Sequence, residues 1–547
     1  MAVAEQTGPI PAPVSGKRDE AYTRQVLQIL VILFGNLLWF VLLRNGTDYV
    51  AFTDPSLIFV WTLIVGAAAG AFAWVRFDGM PVFARRFLRA SAIFLAFYFF
   101  IEPFAMPRAA LPPDHPAMIF HQGARWAGFV IALLGFIRPS AVFAAAMVLW
   151  IARDLNSVVT GFYFSDLDIR NVAEVISFVA GGLVLIHAGR SWERTRTLFQ
   201  LDAHIAERAG LILLAAGIGG HLGNYFYSAL AKLALDGGVF SWLFGNRLHD
   251  GLLGALERGT LPVAFSPWLT QLSYDFTKLF NYPMLWASFA AQAFAIVAPY
   301  KRKWVIGVTV AYDIFHVVVY ASFGLLFWKW VALNAIILST LVTVREGQWT
   351  RSVAATCFAF VLLGSPFFKT ATLAWYDVAN FVTVYFEAET KDGERYRAPP
   401  AYFHSASYQM SQGRLYVPPE TGHFNFNIWG SVLTAADRDA ARACQPPDTG
   451  EPWEERYGPL DAVSRYIERH HNDTLKRIGP DGTHNYYLVP HHHVPSFGID
   501  DPFYTLDKRE IRSYFFVFES VCLDIEDGRL QRKVMKRSEF PVYEVPG

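Results

Sequence analysis

Apolar runs long enough to cross a bilayer constrain this chain more than any other feature. A spanning helix needs roughly 20 mostly apolar residues. Stretches that meet this need fall near 23–43, 57–76, 87–106, 118–137, 139–153, 172–188, 208–232, 281–299, 304–326, 328–345 and 353–374. Together they predict a mainly α fold, a polytopic transmembrane bundle of about eleven helices. The region 118–153 reads either as a tight hairpin turning at Arg138-Pro139 or as one bent helix. The composition is 53% hydrophobic and only 17% charged, which is more apolar than the soluble average. Residues 1–20 are polar and Pro-containing, without the basic-then-apolar order of a cleaved signal, and read as a disordered tail. The expected domains are this tail, a transmembrane domain over 21–375 and an outer domain over 376–547.

Loop charges orient the bundle, because inner loops carry the excess of Lys and Arg. With the N-terminus inside, the inner segments hold Lys17, Arg18 and Arg24; Arg76, Arg85, Arg86 and Arg89; Arg138; Arg190, Arg194 and Arg196; Lys301, Arg302 and Lys303; Arg345 and Arg351. The outer segments hold mainly Arg44, Arg108, Arg153, Arg170 and Lys329. An odd number of crossings then places residues after about 375 outside. The expectation is a multi-pass protein of the bacterial inner membrane, with its N-terminus cytoplasmic and its C-terminal domain periplasmic. The connector 233–280 has a mixed character that suggests short interfacial helices.

From about 380 the pattern changes. FVTVYFEAET-KDG-ERYRAPPAYF reads as two strands around a Lys-Asp-Gly turn, and YFFVFESVCLDIEDGRLQRKVMK as another pair around Asp-Gly. GPLDAVSRYIERHH between them reads as a helix. The C-terminal domain is therefore β-rich and extramembrane. Cys444 and Cys522 both fall in it. An oxidising compartment would allow them to pair, and two separate buried thiols are the alternative.

The segment GHLGNYFYSALAKL, 220–233, carries polar groups inside an apolar run. At 3.6 residues per turn His221, Tyr225, Ser228 and Lys232 form one stripe, flanked by Asn224. His221 falls near mid-membrane and Lys232 near the outer surface. Such groups facing lipid are costly, so the stripe should face other helices or a wet cavity. Other helices add polar groups at overlapping depth: Gln292, then Tyr312, Asp313 and His316, and Asn334. Asp313 and His316 are three residues apart and share a face. The bland alternatives are a snorkelling lysine, a bonded core histidine and an interhelical carboxylate bond.

These residues carry a likeness. YFYSALAKL followed by SWLFG, then YKRK and IFHVVVYASFGLLFWKWVALNAI with Gly324 and Phe327, resembles the HTTM family, named for a horizontally transferred transmembrane domain. Vitamin K-dependent gamma-carboxylases belong to it. The resemblance covers about 205–345. It implies that Lys232 matches the lysine that deprotonates a reduced quinone, and that His316 matches a histidine that is structural or cavity-lining. Desolvation disfavours an ammonium, so a sheltered lysine is a usable base. Ala231 stands where the carboxylases carry a second lysine, and DLDIRNVAEV holds no histidine. The resemblance therefore implies the membrane fold and the lysine base, and a quinone as ligand, without the carboxylation reaction itself.

In the outer domain, NYYLVPHHHVPSFGIDDPFY places His491 and His493 on one side of an extended chain. With His484, His423 or His404 they could bind zinc or copper; a Pro-bounded solvated loop is the alternative. No P-loop, no GxGxxG after a strand and no GxSxG elbow is present, which disfavours ATP-driven transport, nicotinamide chemistry and serine hydrolysis. Lys+Arg and Asp+Glu are equal at 47 each, so no nucleic-acid partner is indicated.

Three functions are open. The first is a membrane enzyme of the HTTM class, carboxylase-like or another lyase or oxidoreductase, acting on a quinol-like substrate in an outer-leaflet cavity. Lys232 would be the base, His221, Tyr225 and Tyr227 would position substrate, and Asp313 with His316 would tune the cavity. Asn224, Ser228, Gln292 and Tyr312 would complete its lining, and the outer domain would recognise a second substrate, such as a peptide. The second is a non-enzymatic anchor that binds lipid and holds a protein partner through its outer domain. The third is a secondary transporter with Asp313 and His316 as a proton relay.

Overall fold

The structure, a computed structural model, describes residues 15–53, 74–105, 116–160, 167–406, 422–424, 430–445, 460–484, 496 and 501–546. Helices fill the first two thirds: α1 (Ser15–Thr53), α2 (Val82–Ala105), α3 (Pro116–Leu134), α4 (Pro139–Thr160), α5 (Leu167–Ser191) and α6 (Ala203–Leu233). The connector holds α7 (Leu248–Glu257) and α8 (Pro267–Leu279). Then follow α9 (Asn281–Ala293), α10 (Arg302–Phe323), α11 (Trp328–Leu341) and α12 (Arg351–Leu363). Among the described residues four helical stretches are long and apolar enough to cross a membrane: Thr23–Gly46, Ile169–Ser191, Ala203–Leu233 and Arg302–Phe323. The run 57–76 lies mostly outside the described residues.

Three expectations are corrected. Residues 15–20, read as tail, begin α1, because past Pro13 nothing forbids a helix. The run 281–299 is helical only to Ala293 and continues as two 3-10 turns, Phe294–Ile296 and Ala298–Tyr300, with Pro299 inside the second. The run 353–374 is helical only to Leu363. Gly364 and Pro366 follow, and proline cannot continue the helix. Residues 364–375 then run on without helix back along the bundle. The 118–153 alternatives resolve as a hairpin: α3 ends at Leu134, and α4 starts with Pro139.

α6 is the axis of the bundle. Its N-cap Asp202 accepts from the Ile205 amide at 2.7 Å. Glycines let α12 cross it closely: a Cβ on Gly219 would lie 2.3 Å from the Cys357 carbonyl, and one on Gly220 would lie 2.6 Å from the Phe368 ring. α5 and α1 pack on its other sides. α10 stops at Gly324, whose φ of +67° suits glycine and whose Cβ would sit 2.0 Å from the Thr260 carbonyl.

The C-terminal third holds a four-stranded antiparallel sheet in the order β3-β2-β5-β6. Its strands are β2 (Asn380–Thr390), β3 (Arg395–Ala398), β5 (Ile511–Glu526) and β6 (Arg529–Glu544). Two short strands, β1 (Tyr376–Asp377) and β4 (Ser431–Val432), pair beside it. Helices α13 (Ala435–Arg442) and α14 (Leu460–Leu475) complete the region. One sheet face is apolar, with Val384, Phe386, Phe516 and Phe518 under Tyr466 and Ile467 of α14. On the opposite face Phe381, Val521 and Leu523 pack against Leu253 of α7.

That second face also carries an ionic lattice. Glu257 of α7 meets Arg397 at 2.9 Å and Arg532 at 3.2 Å. Arg532 also pairs with Glu519, which meets Arg537 at 2.9 Å. Arg537 reaches Glu387 at 2.7 Å and Glu539 at 3.0 Å, and Arg395 joins Glu539 to Glu389. The connector is thus tied to the sheet by charge as well as by packing. Cys444 and Cys522 form a disulfide, with Cα atoms 5.9 Å apart, that fixes the end of α13 to β5.

Candidate functional site

The polar stripe of α6 divides into two constellations with different partners. On one side, Asn224, Ser228 and Lys232 recur every four residues and face the non-helical segment 364–375. Asn224 Oδ1 accepts from the Ala371 amide at 2.7 Å. Ser228 Oγ accepts from the Leu373 amide at 3.1 Å and donates to the Asn224 carbonyl at 2.7 Å, with the Ala371 carbonyl at 3.2 Å. Lys232 Nζ donates to the Leu373 carbonyl at 2.8 Å and to Gln292 Oε1 at 2.9 Å, with the Ser228 carbonyl at 3.4 Å. Tyr227 donates to the Leu362 carbonyl, and Arg44 to that of Phe367 at 2.6 Å. Glu174 accepts from the Lys369 amide at 2.6 Å and from Arg170 at 3.3 Å. Irregular backbone inside a helix bundle leaves amides and carbonyls without intrasegment partners. These side chains supply those partners.

On the other side, His221 and Tyr225 face α5, α10 and α11. Asn334 Nδ2 donates to Asp313 Oδ1 at 2.8 Å, which turns its Oδ1 to His221 Nε2, also at 2.8 Å. The histidine must therefore donate from Nε2. Its Nδ1 lies 2.9 Å from Asn171 Oδ1, and among the described residues Asn171 Nδ2 has no partner. A turn of that amide supplies the donor a neutral ring needs. Tyr225 bonds His316 Nε2 at 3.0 Å, and its ring stacks on Tyr312 with centroids 3.5 Å apart. Tyr312 donates to the Ala291 carbonyl at 3.1 Å. Of the two residues read as a pair, Asp313 accepts from Asn334 and His316 bonds Tyr225.

Lys232 is the hinge between the bundle and the sheet. Its amine lies buried over the Trp242 indole, 5.0 Å from the ring centre. Trp242 donates to the Trp375 carbonyl at 2.9 Å. Among the described residues no carboxylate lies within ion-pair distance of Lys232, but Asp377 acts on it through space. Asp377 is buried on β1. Its carboxylate accepts from Asn246 Nδ2 at 2.7 Å and from Trp375 Nε1 at 3.1 Å, and its amide donates to Asn246 Oδ1 at 2.6 Å. Burial pushes its pKa up to about 7, against the two hydrogen bonds and the Lys232 charge. Asp250 on α7 is also buried and is pushed up to about 6 by desolvation, although Arg442 lies 3.9 Å away. Beside it, burial and then the charges of Arg247, Lys278 and Arg442 pull His249 down to about 4.

This junction brings a lysine, two carboxylates, a histidine and an arginine together from four elements. Sequence reading missed Asp250, His249, Asn246, Asp377 and Arg442. Their signal was the charged content of the connector SWLFGNRLHDGLLGALERG and the WYD that follows the last apolar run. His484 is buried, and His423 is bound between Ser520 and Ser538 at 2.9 and 3.0 Å. His491 and His493 lie outside the described residues. Among the described residues no group of three or more His, Cys, Asp and Glu is placed to hold a metal ion. Comparison of the chain with protein-family models, with curated proteins and with solved structures found no match.

Proposed function

We propose that this chain is an integral-membrane enzyme of the HTTM class that deprotonates a lipid-soluble, quinol-like substrate at Lys232. In this reading the bundle crosses the bacterial inner membrane about eleven times. The N-terminus is cytoplasmic and the sheet domain periplasmic, where a disulfide persists. The sheet domain recognises the second substrate. Membrane lipid is the medium from which the first arrives.

One observation carries the reading. The Lys232 amine is buried where bundle and sheet meet, and every group it bonds is a neutral oxygen. Two bonds are short and one is long. A neutral amine has two N–H donors and one lone pair, which suits two short bonds and leaves the lone pair for an acidic hydroxyl. In the step, the substrate O–H breaks, an N–H forms on Lys232, and the electron pair stays on oxygen as quinolate. Asp377 then faces the new ammonium as its nearest buried carboxylate. Tyr225 and His221, on the other side of α6, hold that helix against α5, α10 and α11 and so fix where Lys232 stands.

The test uses full-length protein in lipid nanodiscs with a reduced naphthoquinone at pH 8. Saturable binding with the red-shifted quinolate absorbance is expected. Lys232→Met should keep binding and lose the quinolate band. Lys508→Met, which removes another buried lysine remote from the junction, should keep both. Absence of saturable binding, or an unchanged band in Lys232→Met, defeats the reading.

A second reading has its own observation. Asp313, Asn334, His221 and Asn171 form a hydrogen-bonded chain across α10, α11, α6 and α5. Such a chain suits a proton relay in a secondary transporter. It requires solute-driven proton flux in proteoliposomes that Asp313→Asn abolishes; flux unchanged in the variant excludes it.

A further inference from the structure

We infer that α8 (Pro267–Leu279) is an in-plane membrane anchor, with its outer face in the headgroup–acyl boundary of the outer leaflet. This rests on the membrane reading above and adds to it where the sheet sits relative to the lipid.

The helix has three faces instead of the two expected of a surface helix. At about 100° per residue, Trp268, Leu279, Leu272 and Phe276 fall within an arc of about 80°. Their exposures are 69%, 76%, 49% and 53%. The opposite arc holds Thr270 and Thr277, which are buried, and Tyr274, which packs with Leu253 and Leu523. A third flank holds Gln271, Asp275 and Lys278, and Gln271 Nε2 donates to Asp275 at 3.1 Å. One arc faces protein and one faces water. The remaining arc is aromatic and aliphatic, and a contiguous patch of this kind marks a contact with a third phase.

Continuity identifies that phase. The apolar face runs on through Phe280, Tyr282 and Trp286, all exposed, into α9. α9 is the element that carries Gln292 to Lys232. Trp, Tyr and Phe at this level are what a bilayer interface collects. A second copy of the chain would need the patch to end at a rim. Here it instead merges with the outer surface of the bundle.

The polar flank of α8 is tied at its edge to the sheet. Gln271 Oε1 accepts from the Gly528 amide, in the β5–β6 turn, at 2.8 Å. A Cβ on Gly528 would lie 1.8 Å from the Pro267 carbonyl, so the turn needs glycine. An anchored α8 therefore holds the hairpin tip at the lipid surface, which puts the Lys232–Asp377 junction at the depth where a lipid-soluble substrate would meet a water-soluble one.

The experiment places single nitroxides in the full chain, in a Cys357→Ala background that keeps the disulfide, within phosphatidylcholine vesicles. Labels stand at 268, 272, 276 and 279, at 275 and 278, and at Val317 as a bundle control, which is 62% exposed. Collision with oxygen is compared with collision with a water-soluble nickel chelate. The four outer positions should favour oxygen several-fold, as Val317 does, while 275 and 278 favour the chelate. If Val317 favours oxygen but the outer face of α8 favours the chelate, that face lies in water and the anchor is refuted. Exclusion of both reagents from that face would mean a protein occupant, which also refutes it. If Val317 itself favours the chelate, the membrane reading fails first.

Discussion

Lys232 at the end of α6 and Lys508 beside the sheet are both buried amines, and each is captured in a similar way. Lys508 donates to the carbonyls of Phe503 and Leu506 at 2.6 and 2.7 Å and lies 4.5 Å from the Phe503 ring centre. Burial pulls its pKa down to about 8, while Asp501, Asp507 and Asp481 push it back up. Lys232 has a carbonyl, a side-chain amide and an indole, and only Asp377 acts on it at a distance. Carbonyl capture over a ring is therefore common to both lysines. The difference is in the surroundings: Lys508 sits among acids, whereas Lys232 sits where bundle and sheet meet. The same contrast runs through the whole molecule. The sheet balances charge with charge in the Glu–Arg lattice. The bundle answers irregular backbone mostly with neutral dipoles, because an ionic lattice there would pay a desolvation cost on every member.

The contrast can be broken at four points. The largest effect is expected at the disulfide, which belongs to the sheet side alone. Cys444→Ser with Cys522→Ser opens a link across 78 residues and should cost the sheet about 4 kcal/mol. Urea-dependent proteolysis should show the sheet failing early, with the bundle unchanged. Equal loss in both would show that they unfold as one unit.

Next comes Glu257→Ala, which strips the shared carboxylate from Arg397 and Arg532. About 3 kcal/mol is expected, the low end for a buried ionic cluster because both guanidiniums keep some solvent. The loss should shrink as salt rises, since partly exposed charges are screened. Asn224→Ala is the matching lesion in the bundle. It leaves the Ala371 amide buried without an acceptor and should cost about 2 kcal/mol with no salt dependence. If the two variants respond alike to salt, the bundle and the sheet do not differ in the way proposed.

Sequence pattern revealed the helices because hydrophobic runs depend on local order. It revealed the two hairpins because Lys-Asp-Gly and Asp-Gly mark turns. It also showed that 221–232 carries a polar stripe, but could not show what the stripe faces. Asn224, Ser228 and Lys232 bond residues 371 and 373, about 140 positions away, and no periodicity reports that. The end of α12 was misjudged because 364–375 stays apolar after the helix stops. Hydropathy reads Phe367, Phe368 and Leu373 but not the missing helix hydrogen bonds that Gly364 and Pro366 impose. The junction was invisible for a related reason. Asp250 and Asp377 look like ordinary polar residues in a linker until folding buries both.

The smallest effect lies in those two carboxylates, and it sharpens the contrast because they sit on the border. Both have native pKa values above the ordinary aspartate range, about 6 for Asp250 and about 7 for Asp377, chiefly through burial. The native state then binds protons more tightly than the unfolded one. Their favourable contribution is complete below about pH 4 and is lost as pH rises through 6 and 7. Between pH 6 and pH 8 the junction should weaken by about 1.8 kcal/mol, most of it from Asp377. Hydrogen exchange at the Asp377 amide, corrected for its intrinsic rate, should report this opening, since that amide donates to Asn246. Asp377→Asn should flatten most of the slope even if it lowers stability overall, because an amide cannot titrate. Asp250→Asn should leave the part above pH 7. A slope that persists in Asp377→Asn would assign the titration to another group. Loss of the slope would show that at the border between bundle and sheet a change of one pH unit is felt as a change in packing.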